Sequence, residues 1–511
     1  MKRDDFISRY AIKLLSSVGI ALMNIIIQLI IPRVFSVDEY GYYNYNLNVF
    51  TSIVVMANLS ASNAFVSKYA RRCEEIGLIR FYFRFFALVS LLLNVGVIII
   101  IPLPFFSHSF GGQTLITVLL GLECAVITKF LSDVVSLYDA AAISRFPALM
   151  QIVLKISMCT FVLIGYIFRF LDLNVFYAGQ GVITLLVVIF LVVAFRKDHQ
   201  MVYENALDKG AKEYIKEFYL YCKPLVIANL ISSLVVIIMN YTLMHFSGTV
   251  GQAMFGAAWQ LNTLVGYVFS PYAELMKREF AICINDKERL VIKFRQSLRM
   301  MIWVTSYFSI FIAEFSRVIL PMIFGEAYSE AILVTQLIML YTCFQAWGQV
   351  TGAFMLATEQ TRISGWITIL GQVLTVFGVF LFQIPNFIFE NSLGANGIAL
   401  NYLVTNVLCV LVTVSYLCYQ LQISPIKEII NCLAAIGLTF IVAFLIYRGM
   451  LLWLNPDAGM KQSAIFVLLG GGVYSLVIGA IAYSMPSIMG ITREQINTLG
   501  SKFVALIKTK Q

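Results

Sequence analysis

The chain is poor in charge. Asp, Glu, Lys and Arg make up 12% of its 511 residues, against ~25% in soluble domains. Hydrophobic residues reach 60% and mean hydropathy is +0.85, which excludes a soluble globular protein. Histidine is nearly absent. His108, His199 and His245 stand far apart and offer no metal-ligand spacing. The nine cysteines form no C-x-x-C pair. They sit mostly in apolar stretches, where a thiol behaves as a small buried group. Neither a disulfide framework nor a zinc site is expected, and no cofactor. Alternating segments of strand type are missing too, which excludes an outer-membrane barrel with its ~10-residue strands. No cleavable leader is visible, because the first apolar stretch has full spanning length and lacks an A-x-A exit.

What the chain has is about fourteen apolar stretches. They cover 10–31, 40–66, 81–103, 115–139, 147–168, 175–195, 224–246, 254–275, 298–320, 331–355, 363–382, 398–417, 429–447 and 464–483. A bilayer core offers the backbone no hydrogen-bond partners, so each crossing of ~20 residues must be a helix. The fold class is an all-α polytopic membrane protein.

Basic residues set the orientation. With the N-terminus inside, most of the 36 Lys and Arg fall in inside connectors, among them Lys68, Arg72, Arg84, Arg145, Arg196, Lys277, Arg299 and Arg362. Only Arg33, Arg169, Arg448 and Lys461 fall in outside ones, and Lys129, Lys155 and Arg317 lie within spans. The positive-inside rule then puts both termini in the cytoplasm of a multi-pass cell (inner) membrane protein. Topology accounts for the net charge of +9, and no nucleic-acid partner is expected.

Six spans precede the longest polar connector and eight follow it. Two matches suggest that the first twelve are a duplicated six. Phe35-Ser36 with Gly41 corresponds to Phe246-Ser247 with Gly256, and LYDAAAISRFPALM around Arg145 corresponds to FMLATEQTRISGWI around Arg362. The offsets stay between about 211 and 217 residues, as repeats with a common orientation require. The expected organisation is a six-span lobe (1–196) and a cytoplasmic linker (197–223) with a surface-lying amphipathic helix carrying Tyr214, Ile215, Phe218 and Tyr219. A second six-span lobe (224–419), an extra helix pair (420–486) and a basic tail (487–511) on the inner leaflet follow. The glycines of Gly470–Val473 read as close helix packing, since no Walker pattern surrounds them.

Ionisable groups inside spans mark functional candidates. Lys129 sits mid-span with Asp133 one turn on, and Lys155 lies ten residues beyond Arg145 beside Gln151. One reading makes Lys129 and Lys155 cavity cations for a diphosphate or acidic sugar, with Arg84, Arg299 and Arg317 as further cations. The other makes Lys129–Asp133 and Glu314–Arg317 self-neutralising pairs that fasten helices. Glu123, Asp133 and Glu314 are candidates for coupling to H+ or Na+. Tyr40, Tyr42, Tyr43 and Tyr45 could stack on sugar rings or form an interfacial belt.

The basic N-terminus, the FSVDEYGYY turn, the arginines after the fourth and tenth spans, and the 6+6+2 layout resemble the Wzx-like polysaccharide flippases. That family belongs to the multidrug/oligosaccharidyl-lipid/polysaccharide exporter superfamily. The resemblance covers the whole chain and implies a transporter rather than an enzyme. It implies alternating access of two lobes around a cavity for a polyprenyl-diphosphate-linked oligosaccharide, the lipid tail riding outside. Membrane lipids and a polysaccharide polymerase or export machinery are implied as partners. A peptidoglycan-precursor flippase and a multidrug/cation antiporter remain alternatives. A membrane polymerase or ligase is disfavoured, because no sizeable outside loop carries a His, Asp or Arg cluster.

Overall fold

The computed structural model describes residues 6–72, 75–100, 110, 112–141, 143, 145–198, 210–387, 390–456 and 459–484. Linker positions 199–209 and the basic tail 487–511 lie outside the described residues. The described elements are helical. In order they are α1 (Phe6–Val34), α2 (Val37–Ala57), α3 (Ala61–Arg71), α4 (Ile76–Ile100), α5 (Leu115–Ala140), α6 (Arg145–Phe168) and α7 (Leu173–Asp198). Then come α8 (Ala211–Ile282), α9 (Lys287–Glu314), α10 (Ser316–Phe324), a 3-10 turn (Glu326–Ala331), α11 (Ile332–Ala357), α12 (Thr361–Gln383), α13 (Gly394–Gln420), α14 (Pro425–Leu451) and α15 (Met460–Ser484).

Over their described residues, the fourteen predicted stretches fall on helices. Ten helices are long and apolar enough to cross a membrane, or twelve when α2–α3 and α9–α10 each count as one bent span. One of the ten, α8, carries two of the predicted spans. They are parted at Gly248, whose φ of 63° and ψ of −161° leave the helical region, as a residue without Cβ can do cheaply. The fourteenth lies on α1.

Local chemistry explains the ends and the breaks. Ser36 caps α2 by accepting from Glu39 N at 3.2 Å, while the Glu39 carboxylate accepts from Ser36 N at 2.9 Å. The F-S-x-x-E turn is therefore a capping box. Between α2 and α3 the chain bends by 59° through Leu59 and Ser60, both with positive φ. Between α9 and α10 it bends by 79° at Phe315.

The chain divides into two compact units, residues 1–256 with 379–394, and residues 257–378 with 395–511. The core of the first gathers aromatic and aliphatic side chains from α3, α4, α5, α7 and the start of α8, with Phe65 stacked on Tyr82 at 4.4 Å. In the second, Phe280 and Phe294 pack on Phe354. Phe315 lies where a Cβ on Gly470 would be 2.6 Å away, so that glycine serves close packing. Leu88, Leu91 and Leu92 on α4 and Leu468 and Leu476 on α15 point outward and are exposed, as lipid-facing surfaces require.

The expected surface-lying linker helix takes another form. Residues from Ala211 run directly into the following span as one helix. Tyr214 and Phe218 are buried and pack on Phe81 at 5.4 and 5.2 Å. Ile215 and Tyr219 face outward. An ionic cluster holds this start in place: Glu217 pairs with Lys68 and Arg72, and Tyr214 donates to Glu75 at 3.0 Å.

Candidate functional site

Lys155 lies near the middle of α6, about 15 Å along the helix from its first residue at ~1.5 Å per residue. It lines a cavity of about 270 Å³ within the first unit. Around it stand Asn24 and Gln28 from α1, Thr128 from α5, Gln151 one turn below, and Gln180 from α7. None of the lining residues is acidic. No protein group pairs with the ammonium among the described residues, and the Gln28 Oε1 is buried without a partner. An ammonium at membrane depth needs water or an anion, and these amides supply dipoles without cancelling its charge. Tyr43 reaches the same cavity, while Tyr40 and Tyr45 are buried. Tyr40 stacks on Tyr43 at 6.0 Å, whereas Tyr45 packs on Phe110 at 5.4 Å, so the tyrosines serve different places.

Lys129 has a different setting. Its ammonium pairs with Asp133 on the same helix and donates to Ser62 Oγ at 2.6 Å. Asp133, 1% exposed, also accepts from the Tyr82 hydroxyl at 2.6 Å. The Asn58 amide donates to Tyr82 at 3.1 Å, and Ser62 donates to Asn58 Oδ1 at 2.9 Å. Asn58 and Ser62 flank the bend between α2 and α3, and Ser60 within it accepts from Asn229 at 2.7 Å. A broken helix exposes main-chain groups that an apolar medium cannot satisfy; here polar side chains and an ion pair surround the break. The network borders a second cavity of about 460 Å³, lined by Ser132, Ser136 and Tyr221 among others.

The remaining candidates are dispersed. Arg84 shares with Arg80 and Arg196 an apolar cleft of about 320 Å³ bounded by Phe83, Val134 and Phe195, apart from the Lys129 and Lys155 cavities. Arg299 is committed to an ion pair. Its guanidinium and that of Arg295 clamp Glu428, which is fully buried, with contacts of 2.8–2.9 Å. Glu123 accepts from Asn94 at 2.6 Å. The i,i+3 pairing expected of Glu314 and Arg317 does not form, because the bend at Phe315 places them on different helices. Arg317 is exposed, and the cation acting on Glu314 is Arg448. Arg145 and Arg362 occupy the first turns of α6 and α12 and are exposed.

Sequence reasoning missed Glu428 and, apart from Gln151, the amide lining. The lining had a signal: Asn24 and Gln28, Gln151 and Lys155, and Gln180 and Thr184 are all i,i+4 pairs inside apolar spans, each marking one polar helix face.

No sequence family matches the chain, and no curated protein does. Solved structures do. The chain is similar to the lipid II flippase MurJ in an inward closed conformation, with a TM-score of 0.67 and 13% identity over 94% of this chain and 99% of that one. It is similar to a multidrug resistance MATE family transporter of the MOP superfamily in an inward-facing conformation, with a TM-score of 0.55 and 14% identity over 81% and 94%. A MOP superfamily transporter from Pyrococcus furiosus, described as having a binding pocket of reverse polarity, matches with a TM-score of 0.54 and 14% identity over 82% and 96%. At such identities the likeness is one of architecture: the chain has the MurJ- and MATE-like membrane fold.

Proposed function

We propose that this protein moves a polyprenyl-diphosphate-linked oligosaccharide across the cytoplasmic membrane by alternating access of two six-helix lobes. One observation carries the reading. Lys155 stands uncompensated at membrane depth in a cavity lined by amides and hydroxyls, with no carboxylate. Such a site attracts a diphosphate and repels a cationic drug. A compact ammonium suits a mobile phosphate, because it holds the anion by charge without fixing its geometry. Lys129, already neutralised by Asp133, is the weaker cation for this purpose. Glu123 has no cationic partner among the described residues, which makes it the better of the coupling candidates for H+ or Na+.

A second reading is favoured by one comparison. The similarity to MurJ spans nearly the whole chain, and a peptidoglycan lipid precursor carries the same diphosphate. Gene deletion separates the two. Deletion in the host should build up the lipid-linked glycan inside with loss of surface polymer. The wild-type chain should restore export, and Lys155→Met should not. Arrested wall synthesis with normal surface polymer would move the assignment to the wall precursor. Unchanged polymer with new drug sensitivity would move it to the antiporter.

A further inference from the structure

Within the second unit, α11, α12 and α13 line an open cavity of about 370 Å³, inside the ~300–1,000 Å³ range of small-molecule sites. Unlike the Lys155 cavity it carries no charge. Its walls present hydroxyls, two side-chain amides and two tyrosine rings, with Met355, Ile367, Cys409 and Val410 between them.

The hydroxyls are oriented by their own helices. Thr368 donates to Ser364 O at 2.9 Å, Thr375 to Gly371 O at 2.8 Å, and Thr413 to Cys409 O at 2.7 Å. Each proton is thereby committed, and the oxygen lone pairs are left as acceptors. Gln372 and Asn406 line the same space and make no side-chain hydrogen bond among the described residues. They bring both donors and acceptors. Tyr341 and Tyr402 lie 5.6 Å apart at 60°. Trp259 backs both, at 5.9 and 5.1 Å, and holds the rings at fixed angles. Gly352 keeps the volume open: a Cβ there would meet nothing within 4 Å. Packing therefore does not require a glycine at this position.

These walls select by exclusion. A cation would find no carboxylate and an anion no basic group. An apolar ligand would strip water from the amides without replacing its hydrogen bonds, which is unfavourable. A neutral ring rich in hydroxyls satisfies all three elements. Its O–H groups donate to the threonine oxygens, its oxygens accept from the amides, and its C–H face lies on a tyrosine ring. We infer that this cavity binds an uncharged sugar residue of the transported glycan. The inference rests on the transport reading above and adds a sugar subsite distinct from the Lys155 cavity.

The test uses the full-length protein in lipid nanodiscs and two probes, measured by titration calorimetry. One is the free oligosaccharide released by mild acid from the host's lipid-linked pool; the other is inorganic pyrophosphate. The oligosaccharide should bind the wild type. Gln372→Leu and Asn406→Leu should each weaken it about 5–10-fold, as the loss of one or two hydrogen bonds implies. Gly352→Leu, which fills open space, should weaken it at least as much. Pyrophosphate binding should be unchanged in all three and lost in Lys155→Met. No oligosaccharide binding to the wild type, or undiminished binding to Gln372→Leu and Gly352→Leu, would overturn the inference. If gene deletion leaves surface polymer and lipid-linked glycan unchanged while oligosaccharide binding still needs Gly352, the transport reading falls and the sugar site stands.

Discussion

The Tyr82 hydroxyl donates to Asp133 across 2.6 Å, from α4 to α5, and it does so one step from the point where the second membrane span breaks. Through Asn58 and Ser62 the same hydroxyl reaches both sides of the Leu59–Ser60 bend. The Lys129–Asp133 pair thus closes a polar network that lets a helix change direction inside apolar surroundings. Removing one partner leaves a buried charge uncompensated, which costs about 3–5 kcal/mol, whereas removing both costs far less. Lys129→Met and Asp133→Leu should each lower the melting temperature in lipid more than the double variant does. A double variant that falls by the sum of the singles would show that the two charges are not coupled.

Lys155 should behave with the opposite sign. Among the described residues none depends on its charge for satisfaction, and its desolvation is unfavourable in the absence of an anion. Lys155→Met should therefore leave the melting temperature unchanged or raise it, by up to about 2 kcal/mol of stability, while export falls. Lys155→Arg should retain part of the export, because the charge persists while the fork geometry changes the fit. Loss of stability in Lys155→Met would mean that the ammonium holds the fold together.

The distribution of these charges shows what a sequence can disclose. Spans, caps and polar helix faces are local properties: the S-x-x-E box at Ser36 and the i,i+4 amides around Lys155 are visible in the chain itself. The bend at Leu59–Ser60 is not, since neither residue is Gly or Pro although both adopt positive φ, and the bond from Asn229 that meets Ser60 comes from 169 residues away. Pairing Glu314 with Arg317 assumes a continuous helix, and the rule fails where Phe315 interrupts it. Arg299 reads as a free cation in the sequence because its partner, Glu428, is 129 residues away. Long-range ion pairs leave no periodic trace.

Glu428 joins α14 of the extra helix pair to α9, and its carboxylate answers two guanidiniums at once. Arg299→Ala leaves Arg295 as a remaining partner, whereas Glu428→Ala leaves two cations facing each other. The loss should be larger for Glu428→Ala, about 3–5 kcal/mol, with Arg299→Ala nearer 1–3 kcal/mol, as for loss of charged hydrogen bonds. Thermal unfolding in lipid measures both. Equal losses would show that Arg295 does not share the carboxylate.

Gly41 and Gly256 make a sharper test, because their neighbours differ in kind. A Cβ on Gly41 would lie 2.2 Å from the Thr249 carbonyl oxygen, and one on Gly256 would lie 2.3 Å from the Asn44 side chain. Both substitutions force overlap, which typically costs about 1–3 kcal/mol. Backbone cannot be trimmed, and the Thr249 hydroxyl already donates to Asp38 at this contact. Gly41→Ala should therefore resist rescue by Thr249→Ala. Asn44 can be shortened, at the loss of its 2.7 Å bond to Tyr40 O, so Asn44→Ala should restore much of the stability lost in Gly256→Ala. Gly352→Ala, with open space around it, serves as the reference and should unfold with the wild type. If Gly41→Ala is as mild as Gly352→Ala, α2 does not approach the second part of α8 as closely as 2.2 Å implies.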